Sequence, residues 1–380
     1  MSAADRWGFS AQQRWRYDAP RRPGHERALP VAVGAEVGRE VRAAALAAAL
    51  DRVARTHPML RATLDGDGVV VADEPPVAVD EIEVASLDDG FAAYGSAPFG
   101  DSLWRAGLLR ARDGRAALAL AFDPVVADGA SGGIVLRDLV SPGGTAGRTY
   151  GEYVAWQAAT YAGCAAAGHW HDALDGVAVN RAFPLARDAR AEPSGERVTR
   201  TVATPPTEDL ATRARMTPLA VRVAALLAAT ARVTGASDLS ARVAVAARPR
   251  GWERTVGVFA NDVVLRMRAA GAAFDAVLAE ARGVWLAALA HQHVPYALVR
   301  ECVSPGLRVD DHRPPEMTVI APAVGGSSGL ATRLAGPAYD DPEGLVVTLD
   351  GAGTAATFDT ARFDVAVVDA MLAEAVRLVG

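Results

Sequence analysis

The run from Ala116 to Leu139 constrains this chain more than any other stretch. Ala116 to Phe122 is continuously apolar and of strand length, and Pro124 ends it, because proline has no N–H to give a ladder. Gly129, Gly132 and Gly133 then allow a tight turn, and Ile134 to Leu139 carries the apolar spacing of a helix. A strand that ends in polar residues and turns into a helix holds those residues at the rim of a core, on rigid elements. Here the polar residues are Asp123, Asp128 and Ser131.

The chain has 380 residues, 51% of them apolar and 22% charged, which suits two domains with sizeable cores. No apolar run reaches the roughly 18 residues of a membrane span. Met1 to Arg6 lacks the basic-then-apolar layout of a signal peptide. Cys164 and Cys302 are too few for a disulfide framework, and with the other signs they predict a cytoplasmic protein with reduced thiols. A net charge of −6 argues against general nucleic-acid binding. All 39 basic residues are arginine, so a Schiff-base lysine, a pyridoxal-phosphate anchor and a P-loop lysine are excluded.

Taken in order, Ser10 caps a short helix that includes Trp15, and Arg21 to Pro30 is a loop. Val31 to Val37 reads as a strand and Arg39 to Thr56 as an amphipathic helix stopped at His57-Pro58. Asp65-Gly66-Asp67-Gly68 and Asp113-Gly114 mark two hairpins, the second delivering the chain to the central stretch. Tyr150 to Ala173 reads as one helix, and the polar run 184–196 as a linker. Beyond it come strands at Arg197 to Thr204, Ser240 to Ala247, Gly257 to Met267, Met317 to Pro322, Gly344 to Leu349 and Thr354 to Asp359. The helices there are Thr217 to Val233 with Pro218 at its first position, Ala272 to His291 and Asp364 to Leu378. The expected fold class is α+β in two comparable lobes, residues 1–183 and 197–380.

Asp123-Pro124-Val125-Val126-Ala127-Asp128-Gly129 resembles the His-His-x-x-x-Asp-Gly motif of the condensation domains of nonribosomal peptide synthetases. Other segments match that family in order. Ser10-Ala11-Gln12-Gln13-Arg14 is similar to its first motif, and Arg55-Thr56-His57-Pro58-Met59-Leu60-Arg61 to its Arg-His-x-x-Leu-Arg segment. Tyr150-x-x-Tyr153-x-x-Trp156-Gln157, Arg248 followed by Val256-Gly257-Val258-Phe259-Ala260-Asn261, and His291-Gln292-His293-Val294-Pro295-Tyr296 complete the series. The resemblance implies two chloramphenicol-acetyltransferase-like lobes in a V, with a central tunnel. It also implies an amine or hydroxyl attacking a thioester carried on the phosphopantetheine of a carrier protein, with no cofactor bound by the chain itself.

The second histidine of the motif, which moves protons in the family, is Pro124 here, and proline cannot act as a general acid or base. The first is Asp123. Asp128 and Gly129 survive, and the resemblance pairs Asp128 with Arg248 as a structural ion pair.

Three readings stay open. In the first, the protein acts on acyl or peptidyl intermediates, forming an amide or ester or cyclising a product by positioning alone, an effect worth ~7–11 kcal/mol. Asp123, Ser131 and Asn261 are then the catalytic candidates. In the second, it is a non-catalytic docking module that recruits a carrier protein or a tailoring enzyme. In the third, Gly129-Ala130-Ser131-Gly132-Gly133 is a Gly-x-Ser-x-Gly nucleophile elbow and Ser131 the nucleophile of a hydrolase.

Arg14, Arg16, Arg21 and Arg22 are candidates for meeting an acidic carrier protein or its phosphate; the simpler reading is a solvated basic loop. A small-molecule intermediate is the other expected partner, with neither nucleic acid nor membrane involved and the chain a freestanding monomer. No metal site is expected: His169 and His171 are split across a helix, and His291 and His293 suit a helix end. Cys164 reads as buried and inert, and the carboxylate pairs Asp88-Asp89 and Asp340-Asp341 as solvated turns.

Overall fold

A computed structural model describes residues 6–18, 30–66, 68–74, 78–97, 99, 102–141, 147–175, 184–187, 194–268, 271–303, 317–321, 332–335, 344–351 and 353–380. The chain forms two compact units, Met1–Ala162 with Ala246–Ala260 and Ala323–Tyr339, and Gly163–Val245 with Asn261–Pro322 and Asp340–Gly380. Neither unit is continuous in sequence, so the expected cut at 183 is not where the molecule divides. Residues 246–260, the connection between strands Leu239–Val245 and Asn261–Met267, belong to the first unit.

The first unit is built on a five-stranded sheet in the order Thr332–Ala335, Val31–Val37, Ala116–Phe122, Trp104–Ala111, Val79–Val84. All its pairs are antiparallel except the last. Every residue of Ala116–Phe122 is buried, and its run conceals a strand alternation. Ala117, Ala119 and Ala121 face a cluster with Phe91 and Tyr94, whereas Leu118, Leu120 and Phe122 join the main core with Val33, Ile134 and Phe259. The alanine face is small because the helix Leu87–Ser96 lies against it. That helix is absent from the sequence reading. Asp88 and Asp89, expected in a solvated turn, form its acidic first turn behind the Ser86 cap.

On the other face, the helix Gly129–Val140 approaches the strand Val31–Val37 so closely that a Cβ on Gly132 would sit 2.5 Å from Val33 Cγ1. A smaller sheet orders Arg6–Gly8, Gly68–Val71, Ala62–Asp65 and contains the first expected hairpin.

The second unit carries a six-stranded mixed sheet in the order Asn261–Met267, Leu239–Val245, Met317–Ile320, Leu345–Leu349, Gly353–Asp359, Arg197–Ala203. The helices Pro218–Thr234, Phe274–Ala290 and Val365–Val379 form where the apolar periodicity predicts. Thr217 caps the first of them and Gly235, at φ +74°, ends it.

Four expectations fail in this unit or at its edge. Tyr150 to Ala173 is not one helix: α-helix runs over Tyr150–Thr160, Gly163 turns at φ +72°, and a 3-10 turn (Cys164–Ala167) and the helix Gly168–Leu174 follow. The strand expected from Gly257 starts at Asn261, because 256–260 is engaged with the first unit. Within the expected linker, Leu185 is buried and Ala186 bridges Phe363, so that piece is packed. Cys164 is neither buried nor a free thiol. It is exposed and disulfide-bonded to Cys302, with Cα atoms 5.4 Å apart, which withdraws reduced thiols as support for a cytoplasmic location.

No single helix among the described residues is long and apolar enough to cross a membrane. Arg21, Arg22, Asp340 and Asp341 lie outside the described residues.

Candidate functional site

The strand Ala116–Phe122 delivers the chain to a turn at Pro124–Val126, and Asp128 then caps the helix Gly129–Val140. Asp123 is 3% exposed, and its Oδ1 accepts the Val125 N–H at 2.9 Å. The Asp123 carbonyl accepts Val126 N–H at 2.9 Å, and its own N–H donates to Leu103 O at 2.8 Å. Asp123 is therefore a turn-forming carboxylate, of the kind that closes on the backbone two residues on. Gln13, buried in the capped helix Ala11–Tyr17, donates to Val125 O at 2.8 Å and fixes the loop from its other side.

Asp128 is the hub. Its Oδ1 accepts from Ser131 N–H at 2.8 Å and from Arg248 Nη2 at 3.0 Å. Its Oδ2 accepts from Arg248 Nη1 at 2.9 Å and from the Phe259 and Ala260 N–H groups, each at 3.0 Å. Burial alone would push this carboxyl up; the Arg248 guanidinium and the hydrogen bonds from Ser131 more than offset that and hold it below the usual carboxylate range. The expected Asp128–Arg248 pair is present, buried and bidentate.

Ser131 is fully buried. Its hydroxyl accepts from Arg248 Nη2 at 2.8 Å and from Gly257 N–H at 3.0 Å, and its own proton lies between Asp128 Oδ1 at 2.8 Å and Gly257 O at 2.7 Å. Its neighbours are thus a guanidinium, a carboxylate and a peptide group. An activated nucleophile needs a base that can take its proton and a path to substrate. A carboxylate neutralised by arginine is a poor base, and a sealed hydroxyl has no path, so the hydrolase reading is withdrawn.

Asn261, in the second unit, donates from Nδ2 to Gln292 O at 2.8 Å and Val294 O at 2.7 Å, and accepts Tyr296 N–H at 3.0 Å. It clamps the turn before the helix Tyr296–Val303. Arg14 lies near Asp18 at 3.8 Å and over the Phe9 ring, and Arg16 is half-buried on the same helix. Pro124 is buried in the turn, and Gly129 has open space where a Cβ would lie.

Several residues that matched family motifs in the sequence gave no sign there of the contacts they make. The backbone of Gly257, Phe259 and Ala260 supplies four of the hydrogen bonds around Asp128 and Ser131. Tyr150 donates to Val258 O at 2.8 Å, which leaves Ser10 Oγ, 2.8 Å away, to donate to the phenol oxygen. A Cβ on Gly257 would lie 2.1 Å from the Tyr150 ring, so glycine is required there.

His57, 2% exposed, donates from Nε2 to Asp138 Oδ2 at 2.9 Å, and Asp138 also pairs with Arg254 at 2.8 Å. This supports its reading as a packed turn residue. Burial pulls the imidazole below its usual value; Asp138 opposes that, while Arg254 and Arg137 add to it. The folded chain therefore stays neutral at His57 where the unfolded chain takes up a proton. The contribution to stability is complete above pH ~6.5, the unfolded value, and falls as pH drops from there toward the lower folded value. Urea midpoints measured from pH 7.5 down to pH 5 are expected to fall less steeply in His57→Gln, which keeps a neutral donor.

His169 stacks on His291, with ring centroids 3.8 Å apart, and His291 Nδ1 donates to Ala287 O at 3.0 Å, as a helix-end histidine does. Among the described residues no group of three or more His, Cys, Asp or Glu side chains is placed to hold a metal ion.

The segment from Asp123 to Gly129 is thus a buried turn with proline at its second position, leading into a capped helix. The condensation-domain profile matches residues 9–306. The chain belongs to the condensation-domain family. This condensation domain is 28% identical over 327 residues to phosphinothricin tripeptide synthetase PhsC of Streptomyces viridochromogenes, covering 76% of this chain and 30% of that protein. It is 25% identical over 303 residues to cyclosporin synthetase simA of Tolypocladium inflatum, covering 71% of this chain and 2% of that one. The chain spans less than a third of the length of either relative.

Solved structures share the fold. The condensation domain of the monacolin K polyketide synthase MokA superposes with a TM-score of 0.79 at 17% identity, covering 98% of this chain and 96% of that one. The X-domain from teicoplanin biosynthesis does so at 0.77 and 20% identity, covering 100% and 95%. The fold class is therefore the α+β condensation-domain fold, and the family ties the chain to nonribosomal peptide synthesis.

Proposed function

We propose that this chain is a non-catalytic binding module of nonribosomal peptide or peptide–polyketide biosynthesis, which docks a carrier protein with its phosphopantetheine-borne intermediate, or a tailoring enzyme. The observation that carries this reading is the state of the motif segment. Proline stands at the proton-transfer position, Asp123 closes its own turn, and Ser131 and Asp128 are sealed with Arg248. General acid–base catalysis needs a titratable group within hydrogen-bond reach of the reacting atoms, and these side chains are engaged in holding the fold. A solved complex of the teicoplanin X-domain with OxyB, in which that X-domain has a TM-score of 0.75 to this chain at 20% identity, gives a precedent for this fold docking a second protein.

The test is to incubate the protein with the acyl- or peptidyl-loaded carrier proteins and the tailoring enzymes encoded beside it. Complexes are followed by gel filtration and the carrier's load by intact-protein mass spectrometry. The expected result is a complex with one of them and an unchanged load. Multiple turnovers of loaded carrier, abolished in Asp123→Asn, would overturn the proposal and restore catalysis by positioning.

A further inference from the structure

The chain's only two cysteines meet in the second unit, 138 residues apart, in a place that suits a reversible bond. Cys164 opens a 3-10 turn directly after Gly163 and is exposed to solvent; Cys302 sits in the last turn of the helix Tyr296–Val303 and is half-buried. That helix has eight residues and buries only Tyr296 and Val299. An isolated helix of this length is unstable in water, so its docking depends on what ties it down. Its first turn is tied by Asn261, which accepts the Tyr296 N–H and holds the two carbonyls before it. The adjoining His169–His291 stack joins the helix Gly168–Leu174 to the end of Phe274–Ala290. The far turn carries the disulfide.

We propose that Cys164–Cys302 is a redox latch: reduction by a dithiol frees the last turn of the Tyr296–Val303 helix and leaves its first turn docked. The inference is independent of whether the chain catalyses or only binds. A thiolate of the dithiol attacks the exposed Cys164 Sγ, the bond to Cys302 Sγ breaks, and Cys302 leaves as a thiolate that water protonates. The second thiol of the reductant then displaces Cys164 from the mixed disulfide. The protein gains two electrons and two protons, and the dithiol becomes its own cyclic disulfide.

The experiment uses the full chain, air-oxidised and then treated with dithiothreitol. Thiol titration of the denatured protein is expected to rise from none to two per chain. Hydrogen exchange followed by mass spectrometry should quicken at least ~10-fold over residues 299–303 on reduction, stay unchanged over 116–140, and return to its first rate on reoxidation. The melting temperature should drop by roughly 5–15 °C while the protein stays folded at 25 °C. Cys164→Ser and Cys302→Ser should each behave as the reduced protein and no longer respond to dithiothreitol. Two titratable thiols in the air-oxidised chain, equal exchange over 299–303 in both states, or loss of the whole second unit on reduction would each overturn the latch.

Discussion

Asp128→Ala is expected to destabilise the first unit by ~3–5 kcal/mol, because it leaves the Arg248 guanidinium buried without its counter-charge. The carboxylate also caps the helix Gly129–Val140 and accepts the Phe259 and Ala260 N–H groups, so three backbone donors lose their acceptor together. The cost comes mainly from the orphaned partners, and that is testable. Arg248→Met alone should be comparably severe, whereas the double variant Asp128→Leu/Arg248→Met should lose clearly less than the sum of the two. Urea unfolding followed by tryptophan fluorescence gives the three midpoints. Strict additivity would mean that the pair is not coupled in the way the geometry requires.

Phe259→Ala is expected to cost a further ~3–5 kcal/mol of the same order, by opening a cavity in the core of the first unit. The ring is wholly buried, 4.6 Å from the Tyr153 centroid and 5.2 Å from that of Tyr150, with the Arg248 guanidinium carbon 4.5 Å above it. It therefore combines apolar burial, edge-to-face packing and a desolvated cation–π contact. Phe259→Leu, which refills most of the volume, should recover all but ~1.5 kcal/mol of the apolar part. Because Arg248, the ion-pair partner of Asp128, lies over the Phe259 ring, combining Phe259→Ala with Asp128→Ala should be non-additive. Denaturant midpoints of the two singles and the double decide it, and a Phe259→Ala midpoint equal to that of the parent would remove Phe259 from the core of the site.

What could be read along the chain was whatever nearest neighbours decide. The Ser10 and Thr217 caps, Pro218 at a first helical position, the strand Val31–Val37 and the Asp113-Gly114 hairpin all follow from local backbone chemistry. The helix Leu87–Ser96 escaped because Gly90 and Gly95 and two leading aspartates look like a loop; its stability comes from Phe91 and Tyr94 packing on the alanine face of a strand. The break at Gly163 escaped because an alanine-rich run reads as helix until one residue takes a positive φ.

At the site, the sequence determined what one position cannot do: a proline at position 124 cannot move a proton in any fold. It also made the family and the Asp128–Arg248 pair legible through a chain of ordered motifs. Only the tertiary structure decided what the remaining polar residues do. Ser131 is sealed by Arg248 and Gly257, more than a hundred residues away; Asn261 clamps the 292–296 turn; and Cys164 meets Cys302. Such pairings leave no local trace, because a hydroxyl, an amide or a thiol has the same sequence signature whether it faces substrate, a backbone carbonyl or its mate. Which of these it meets is set by long-range packing, and that is an energy summed over the whole unit rather than over neighbours in the chain.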